Sequence, residues 1–265
     1  MFTDVDGKLD GPQGPLVVID RCIMLKHIPA YLPECAEIVL PDVLVHEIAE
    51  SPRANELEKF NGWARRHADR IWIGRFWHEM SREEVHPTRL VDRNRAINVE
   101  LTFEFRATAK NGELDWESVA GTEDVPAKKS EFIALAKEFD RKAKERDIDW
   151  KKEFPDWESR VAFVRGLGHV GPTVRLWNER FCDPIWDEVL DVFPDQLAVA
   201  RMARLLNWNF LKHSMGETRD FKNSYEDVEY ALTASYVGRL ATVDRNLLET
   251  MRAVFPDCEL HSTRH

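Results

Sequence analysis

The chain has 265 residues, of which 43% are hydrophobic and 32% charged, and its formal net charge is −10. This length and composition are typical of one large globular domain, or of a smaller domain that carries an insertion. The acidic balance argues against a protein that coats nucleic acid non-specifically, because phosphate attraction needs exposed lysine and arginine. The acidic net charge is nevertheless compatible with a local basic groove.

No apolar run reaches the roughly 18 residues of a membrane span, and the N-terminal stretch MFTDVDGKLDGPQG lacks the apolar core of a signal peptide. We therefore expect a cytoplasmic protein with no membrane association, in which residues 1–14 form a flexible tail. The cysteines are scattered, without a CxxC motif or a nearby Cys/His pair, so neither a zinc site nor a disulfide framework is indicated. We expect all four to be reduced: Cys22, Cys35, Cys182 and Cys258.

The first third of the chain alternates strand and helix patterns, and the same alternation returns at the C-terminus. Short apolar, β-branched runs predict the strands, and amphipathic stretches between them predict the helices. We expect strands at 15–20, 36–40, 71–77, 239–243 and 258–262, and helices at 21–32, 42–51, 54–70, 224–238 and 245–255. Together, residues 15–77 and 223–265 predict a three-layer α/β/α domain around a mostly parallel sheet of about five strands.

Strand patterns fade between residues 78 and 222, where helical periodicity prevails. Helical patterns occupy 130–147, 182–193 and 195–213, and tryptophans are dense, which indicates a core of its own. We interpret this region as a helical insertion or cap on the sheet domain. The segment GTEDVPAKKS (121–130) predicts an exposed loop or linker.

Two stretches run against the acidic average. One is WARRHADRIWIGR (63–75), with Arg65, Arg66 and Arg70, and the other spans residues 128–152. For either stretch alone, a solvated helix face is the simpler interpretation. If the protein binds nucleic acid, we expect Arg65, Arg66 and Arg70 to contact phosphates.

Two aspartates follow predicted strands directly. Asp20 closes LVVID and Asp244 follows LATV, so both should lie at the carboxyl edge of a parallel sheet, where α/β proteins bind ligands. A helix N-cap explains each of them equally well when it is taken alone.

Two further acids lie on helix faces that should be buried. Glu47 falls on the apolar stripe beside Val43 and Leu44, and Asp227 shares a face with small residues that let its helix lie close to the sheet. A glutamate on such a stripe either extends to solvent or has a function. All four acids come from helices and strands that are predicted to converge on one edge of one sheet.

Four neighbouring carboxylates repel one another and raise one another's pKa, and divalent cations relieve that repulsion. Hard oxygen ligands without cysteine or histidine favour Mg²⁺ or Mn²⁺ over zinc. Such a site is suited to phosphodiester hydrolysis by an activated water. Asp20, Glu47, Asp227 and Asp244 are therefore the predicted metal ligands and catalytic residues.

This pattern resembles the PIN-domain nucleases. In that family an Asp ends the first strand, a Glu lies in the helix after the second strand, an Asp opens a helix rich in small residues, and an Asp follows the fourth strand. The matching segments are VVID (Asp20), LPDVLVHEIAES (Glu47), DVEYALTAS (Asp227) and LATVD (Asp244). The resemblance covers residues 15–77 and 223–262 and leaves out the middle of the chain.

The resemblance implies that Thr242, in the TxD step, supports the metal site, and that Glu226 shares or takes over the position of Asp227. It implies an endoribonuclease, since RNA is the commoner substrate in a family that includes toxins paired with antitoxins. A homodimer and an inhibitory antitoxin partner are expectations of the same kind. The alternatives are a structure-specific DNA nuclease and a non-catalytic PIN-like module that binds nucleic acid or protein.

Overall fold

The computed structural model describes residues 11–26, 36–51, 53–83, 94, 96–120, 125–145, 148–166, 170, 197–217 and 224–262. The strands are β1 (Leu16–Ile19), β2 (Glu37–Leu40), β3 (Ile71–Gly74), β4 (Ile97–Asn98), β5 (Arg239–Ala241) and β6 (Glu259–His261). The helices are α1 (Arg21–Lys26), α2 (Asp42–Ala49), α3 (Ala54–His67), α4 (Trp77–Glu83), α5 (Val99–Asn111), α6 (Trp116–Val119), α7 (Val125–Glu145), α8 (Trp150–Glu153), α9 (Trp157–Arg165), α10 (Ala198–Ser214), α11 (Ser224–Val237) and α12 (Arg245–Val254).

The strands form one sheet in the order β4-β3-β2-β1-β5-β6. All neighbours are parallel except β3 and β4, and Val18 in the middle of the sheet pairs with Val39 on one side and Leu240 on the other. The predicted α/β class and mostly parallel sheet are confirmed. The sequence did not predict β4, because a two-residue strand is too short to show a periodic pattern.

Helices cover the sheet, which explains why β1 and β3 are apolar along their whole length. Every residue of β1 and β3 is buried, as expected for parallel strands packed on both faces. Helix α11 contacts β1, and α5 contacts β3. This arrangement is compatible with a three-layer α/β/α fold.

The described residues of the region 78–222 share their core with the sheet domain. Phe105, Phe132 and Trp208 come from this region, and they belong to the same cluster of buried apolar residues as Val18 and Ile38 of the sheet. Helix α10 joins the two parts most extensively, because it contacts α11 and α12 as well as α7 and α9. The separate core expected from the dense tryptophans is not what the described residues form.

Some predicted boundaries shift. The helix predicted over 54–70 ends at His67 and tightens into a 3₁₀ turn at Ala68–Arg70. The predicted loop at 121–130 is helical from Val125, since a proline in the first turn lacks only an N–H that would have no helical partner. Predicted helical residues 27–32 and 182–193 lie outside the described residues. Within the described ranges, no helix has the length and apolar character needed to span a bilayer.

Candidate active site

Asp20 lies where β1 ends and α1 begins, and only 5% of it is exposed. Its Oδ1 accepts a hydrogen bond of 2.9 Å from the backbone N–H of Ile23, and its Oδ2 accepts one from Thr242 Oγ1. Burial raises the pKa of Asp20, and the Thr242 and Ile23 hydrogen bonds act in the opposite direction. Asp20 therefore caps α1 and also faces the edge of the sheet.

Asp244 occupies the equivalent position after β5. Its Oδ1 accepts a hydrogen bond of 3.0 Å from Leu247 N–H, which makes it the N-cap of α12. Its own N–H donates to Thr242 Oγ1 at 2.9 Å. The fully buried Thr242 hydroxyl thus connects Asp244 to Asp20, and this places Thr242 beside both aspartates.

Glu47 projects from α2 towards α11. The hydroxyl of Tyr230 donates to Glu47 Oε2 at 2.6 Å. Burial raises the pKa of Glu47, the Tyr230 bond lowers it, and the negative charge of Glu226 raises it again. The sequence did not reveal that Tyr230 holds Glu47.

Among the four acids, Asp227 has the most strongly raised pKa. Burial, followed by repulsion from Asp244, Glu226 and Glu47, raises the pKa of Asp227 to about 7, although Lys212 acts to lower it. A carboxyl group with a pKa near neutrality is a mark of functional sites. The electrostatics show that several carboxylates act on Asp227 at once.

Glu226, the neighbour of Asp227, is held by a residue from the insertion. Lys129 of α7 forms an ion pair with Glu226 Oε1. The other oxygen, Oε2, is buried and accepts no hydrogen bond. The basic stretch 128–152 thus reaches this edge of the sheet through Lys129, a contact that charge patterning alone did not identify.

The carboxylates line one open pocket of about 200 Å³ at the carboxyl edge of the sheet. Its lining residues are Asp20, Arg21, Cys22, Glu47, Glu226, Asp227, Tyr230, Asp244 and Leu247. All four acids predicted from the sequence are brought together there, with Glu226 as a fifth. Arg21 and Tyr230 are lining residues that sequence reasoning missed, and for Arg21 its position directly after Asp20 was the available signal.

Comparison with known proteins does not assign this pocket to a family. No protein-family model, no curated protein and no solved structure matches the chain. The chemistry that the pocket can support therefore follows from its arrangement and from the residues that form it.

The donor chemistry of the pocket fits a hard divalent cation, because carboxylate oxygens are the ligands that Mg²⁺ and Mn²⁺ prefer. The unpartnered Oε2 of Glu226 is a further oxygen available for such a cation. As the side chains stand, no three His, Cys, Asp or Glu residues within the described ranges form a group that could hold a metal ion. Tyr230 and Lys129 engage Glu47 and Glu226, so coordination would require local side-chain rotation.

The structure does not bring the three predicted phosphate-binding arginines to this pocket. They lie at the end of α3 and in the 3₁₀ turn, before the first residue of β3 and therefore at the amino edge of the sheet. Arg70 donates from Nε and Nη2 to the carbonyl oxygen of Ala36, at 2.9 and 2.5 Å. Arg66 donates to Gly62 in its own helix, and Arg65 lies against Gly112.

Proposed function

We propose that this protein is a metal-dependent nuclease of PIN type that hydrolyses RNA phosphodiester bonds. The observation that carries the proposal is the pocket in which Asp20, Glu47, Asp227 and Asp244 meet, four acids that were selected from sequence positions far apart in the chain. Burial, followed by repulsion from neighbouring acids, raises the pKa of Asp227, and a bound divalent cation would relieve that repulsion.

Asp20, Glu47, Asp227 and Asp244 would hold Mg²⁺ or Mn²⁺, with Glu226 able to share the position of Asp227. When bound, such an ion lowers the pKa of water and stabilises negative charge on phosphate oxygens. The chain itself supplies the positioning, since Thr242 orients two of these acids and Tyr230 orients Glu47.

Arg21 would bind the phosphate of the substrate. It lines the pocket, and its guanidinium is about one-third exposed while pairing with Glu56 at 2.8 Å. A guanidinium matches the oxygens of phosphate in a forked geometry. Arg21 therefore takes the role that the sequence assigned to Arg65, Arg66 and Arg70.

RNA as the substrate, a homodimer and an antitoxin partner are predictions that follow from the resemblance to PIN-domain nucleases. A cytoplasmic location remains a prediction from the sequence composition. The net charge of −10 is compatible with a nuclease that contacts phosphate locally. A DNA substrate is the alternative within the same chemistry.

The test is cleavage of labelled single-stranded and structured RNA and DNA, each with Mg²⁺, Mn²⁺ or EDTA. We expect cutting of RNA that needs metal and falls at least about 100-fold in Asp20→Asn and Asp244→Asn, since removal of an essential group in the chemical step has effects of this order or larger. The exposed Asp69 supplies the control: Asp69→Asn should cut like the unmodified protein. Equal cutting by all four proteins would refute the assignment.

The non-catalytic alternative has one observation in its favour, which is that the acids as placed form no group ready to hold a metal. The two functions differ in their response to Mg²⁺. A catalytic site should gain melting temperature on metal binding and lose that gain in Asp20→Asn, whereas a binding module should show neither effect. Retained RNA binding without any response to metal would favour the module.

A further inference from the structure

The insertion brings a positive charge to the carboxylate pocket. Lys129, near the start of α7, forms an ion pair with Oε1 of Glu226, which lines the pocket. Both side chains are largely buried, with 30% of Lys129 and 16% of Glu226 exposed. Burial raises the pKa of Glu47, and the charge of Lys129 is among the contributions that lower it. Lys129 therefore acts on two acids of the pocket, which lie on different helices.

Packing holds Lys129 in this position. Phe132 follows Lys129 by three residues, so the two side chains lie on one face of α7. Phe132 is 2% exposed and packs edge-on against the ring of Tyr225, with the ring centroids 5.5 Å apart. Tyr225 directly precedes Glu226 on α11. The ion pair thus belongs to the interface where the insertion packs on the sheet domain, and it is more than the contact of a free surface lysine.

Glu226 adds negative charge to a pocket that already holds four acids. Burial, then Asp244 and then Glu226 raise the pKa of Asp227. Burial also raises the pKa of Glu47, and Glu226 adds to that increase. Charges of one sign at short range are unfavourable unless a cation compensates them. Lys129 is a cation that the chain itself supplies at this point.

An ammonium group and a divalent cation would compete for Glu226. Lys129 occupies Oε1, while Oε2 is buried and accepts no hydrogen bond, so this carboxylate has one oxygen left for a ligand. A cation on Oε2 would bring two positive charges close to the ammonium group, and like charges at that range repel in a partly buried setting. Within the described ranges the side chains form no group ready to hold a metal ion, which is consistent with a lysine already engaging one of the acids.

We propose that Lys129 is a built-in competitor of the metal ion, which occupies Glu226 in the metal-free protein and lowers the affinity of the pocket for divalent cations. This inference rests on the proposed function, since it requires that the carboxylate pocket binds Mg²⁺ or Mn²⁺. It gives the insertion a regulatory role. Contact between α7 and the start of α11 weakens metal binding, and release of Lys129 from Glu226 strengthens it.

The test is the affinity for Mn²⁺, measured by titration calorimetry and by the electron paramagnetic resonance signal of free Mn²⁺, at constant pH and ionic strength. Lys129→Gln removes the charge and should bind Mn²⁺ at least about 10-fold more tightly, since a neighbouring charge changes the proton affinity of a carboxylate by about 1–3 powers of ten. Lys129→Arg keeps the charge and should retain the weaker affinity. Lys110→Gln, which removes an exposed lysine that pairs with Asp69, should bind like the unmodified protein.

Melting temperatures separate this role from that of a purely structural ion pair. Without metal, Lys129→Gln should melt below the unmodified protein, because Glu226 loses its partner in a partly buried setting. Saturating Mn²⁺ should remove or reverse this difference, because the ion binds the variant more tightly. An equal loss of melting temperature with and without metal would overturn the proposal. Circular dichroism checks that each variant is folded.

The outcomes also separate this inference from the nuclease assignment. The unmodified protein may be found to bind Mn²⁺ and to lose that binding in Asp20→Asn, while Lys129→Gln binds no more tightly; competition by Lys129 is then refuted and the metal site stands. If neither the unmodified protein nor Lys129→Gln binds Mn²⁺ at millimolar concentration, the metal site itself is refuted, and the proposed function fails together with the competitor.

Discussion

The two ends of β5 carry pockets of opposite charge. Acids with Arg21 line the pocket at the carboxyl edge, and arginines with Asp257 line the pocket at the amino edge. The polarity of the helices explains why. In a parallel α/β sheet, helix N-termini with their free N–H groups lie at the carboxyl edge, and helix C-termini with their free carbonyls lie at the amino edge.

Capping accounts for some of the acids and not for others. Asp20 and Asp244 accept N–H groups of α1 and α12, so their positions would be favourable without any function. Among the described residues no such contact explains Asp227, whose pKa is raised to about 7 by burial and by neighbouring acids. Variants of the capping residues should therefore change stability, and variants of the others should reveal function.

The largest effect on stability is expected from Thr242→Val. The change keeps the shape of the side chain but leaves Oδ2 of the buried Asp20 without the Thr242 donor and the partly buried Asp244 N–H without its acceptor. We expect the free energy of unfolding to fall by about 2 kcal/mol, because unsatisfied buried polar groups cost about 1–3 kcal/mol each. Urea denaturation measures it.

Thr242→Ser is the matched control, since it keeps the hydroxyl and removes only a methyl group. It should lose clearly less stability than the valine variant. If serine and valine prove equally destabilising, Thr242 stabilises the protein through packing rather than hydrogen bonding. The hydrogen bonds that connect the two aspartates would then contribute nothing to the free energy of unfolding.

Asp227→Asn should do the opposite and stabilise the protein. The pKa of Asp227 is raised to about 7 from an ordinary value of 3.8. The folded state therefore binds the proton more tightly than the unfolded state, so wild-type stability falls as the pH rises from about 4 to 7. The asparagine variant lacks this loss, and its advantage should be fully developed above pH 7 and absent below pH 4.

We expect the gain at pH 8 to be about 1–2 kcal/mol, less than the full linkage value because the side chain is partly exposed and screened. Melting curves from pH 4 to 8 measure it, with Asp69→Asn as the exposed control. Saturating Mg²⁺ should shrink the gain if the acids bind the ion. Parallel pH profiles for Asp227→Asn and wild type would contradict the raised pKa of Asp227.

The sequence predicted most of the fold because its signals are local. Five strands and the helices between them have regular apolar patterns, whereas the two-residue strand β4 has none. The acids were predictable for the same reason: Asp20 and Asp244 each follow a strand, and parallel strands end at one edge. Tyr230 and Lys129 were not, since their contacts with Glu47 and Glu226 depend on how distant helices pack.

Charge patterning was the least successful predictor of the site residues. Variants of one arginine from each edge of the sheet test where RNA binds. Arg70 donates two hydrogen bonds to the carbonyl of Ala36, where β2 begins, whereas Arg21 lines the carboxylate pocket. Arg70→Gln should lower the free energy of unfolding by about 1 kcal/mol, the usual net contribution of such hydrogen bonds. Its affinity for RNA should change little, because Arg70 lies at the far edge of the sheet.

Arg21→Gln should show the reverse pattern, with a weaker affinity for RNA and a stability loss below about 1 kcal/mol, since partly exposed ion pairs contribute little. For each variant, fluorescence anisotropy with labelled RNA measures the affinity, and urea denaturation measures the free energy of unfolding. A loss of RNA affinity in Arg70→Gln that exceeds the loss in Arg21→Gln would place the RNA on the amino edge. The arginines of 63–75 would then contact phosphates, as the sequence predicted, and the RNA would not bind at the carboxylate pocket.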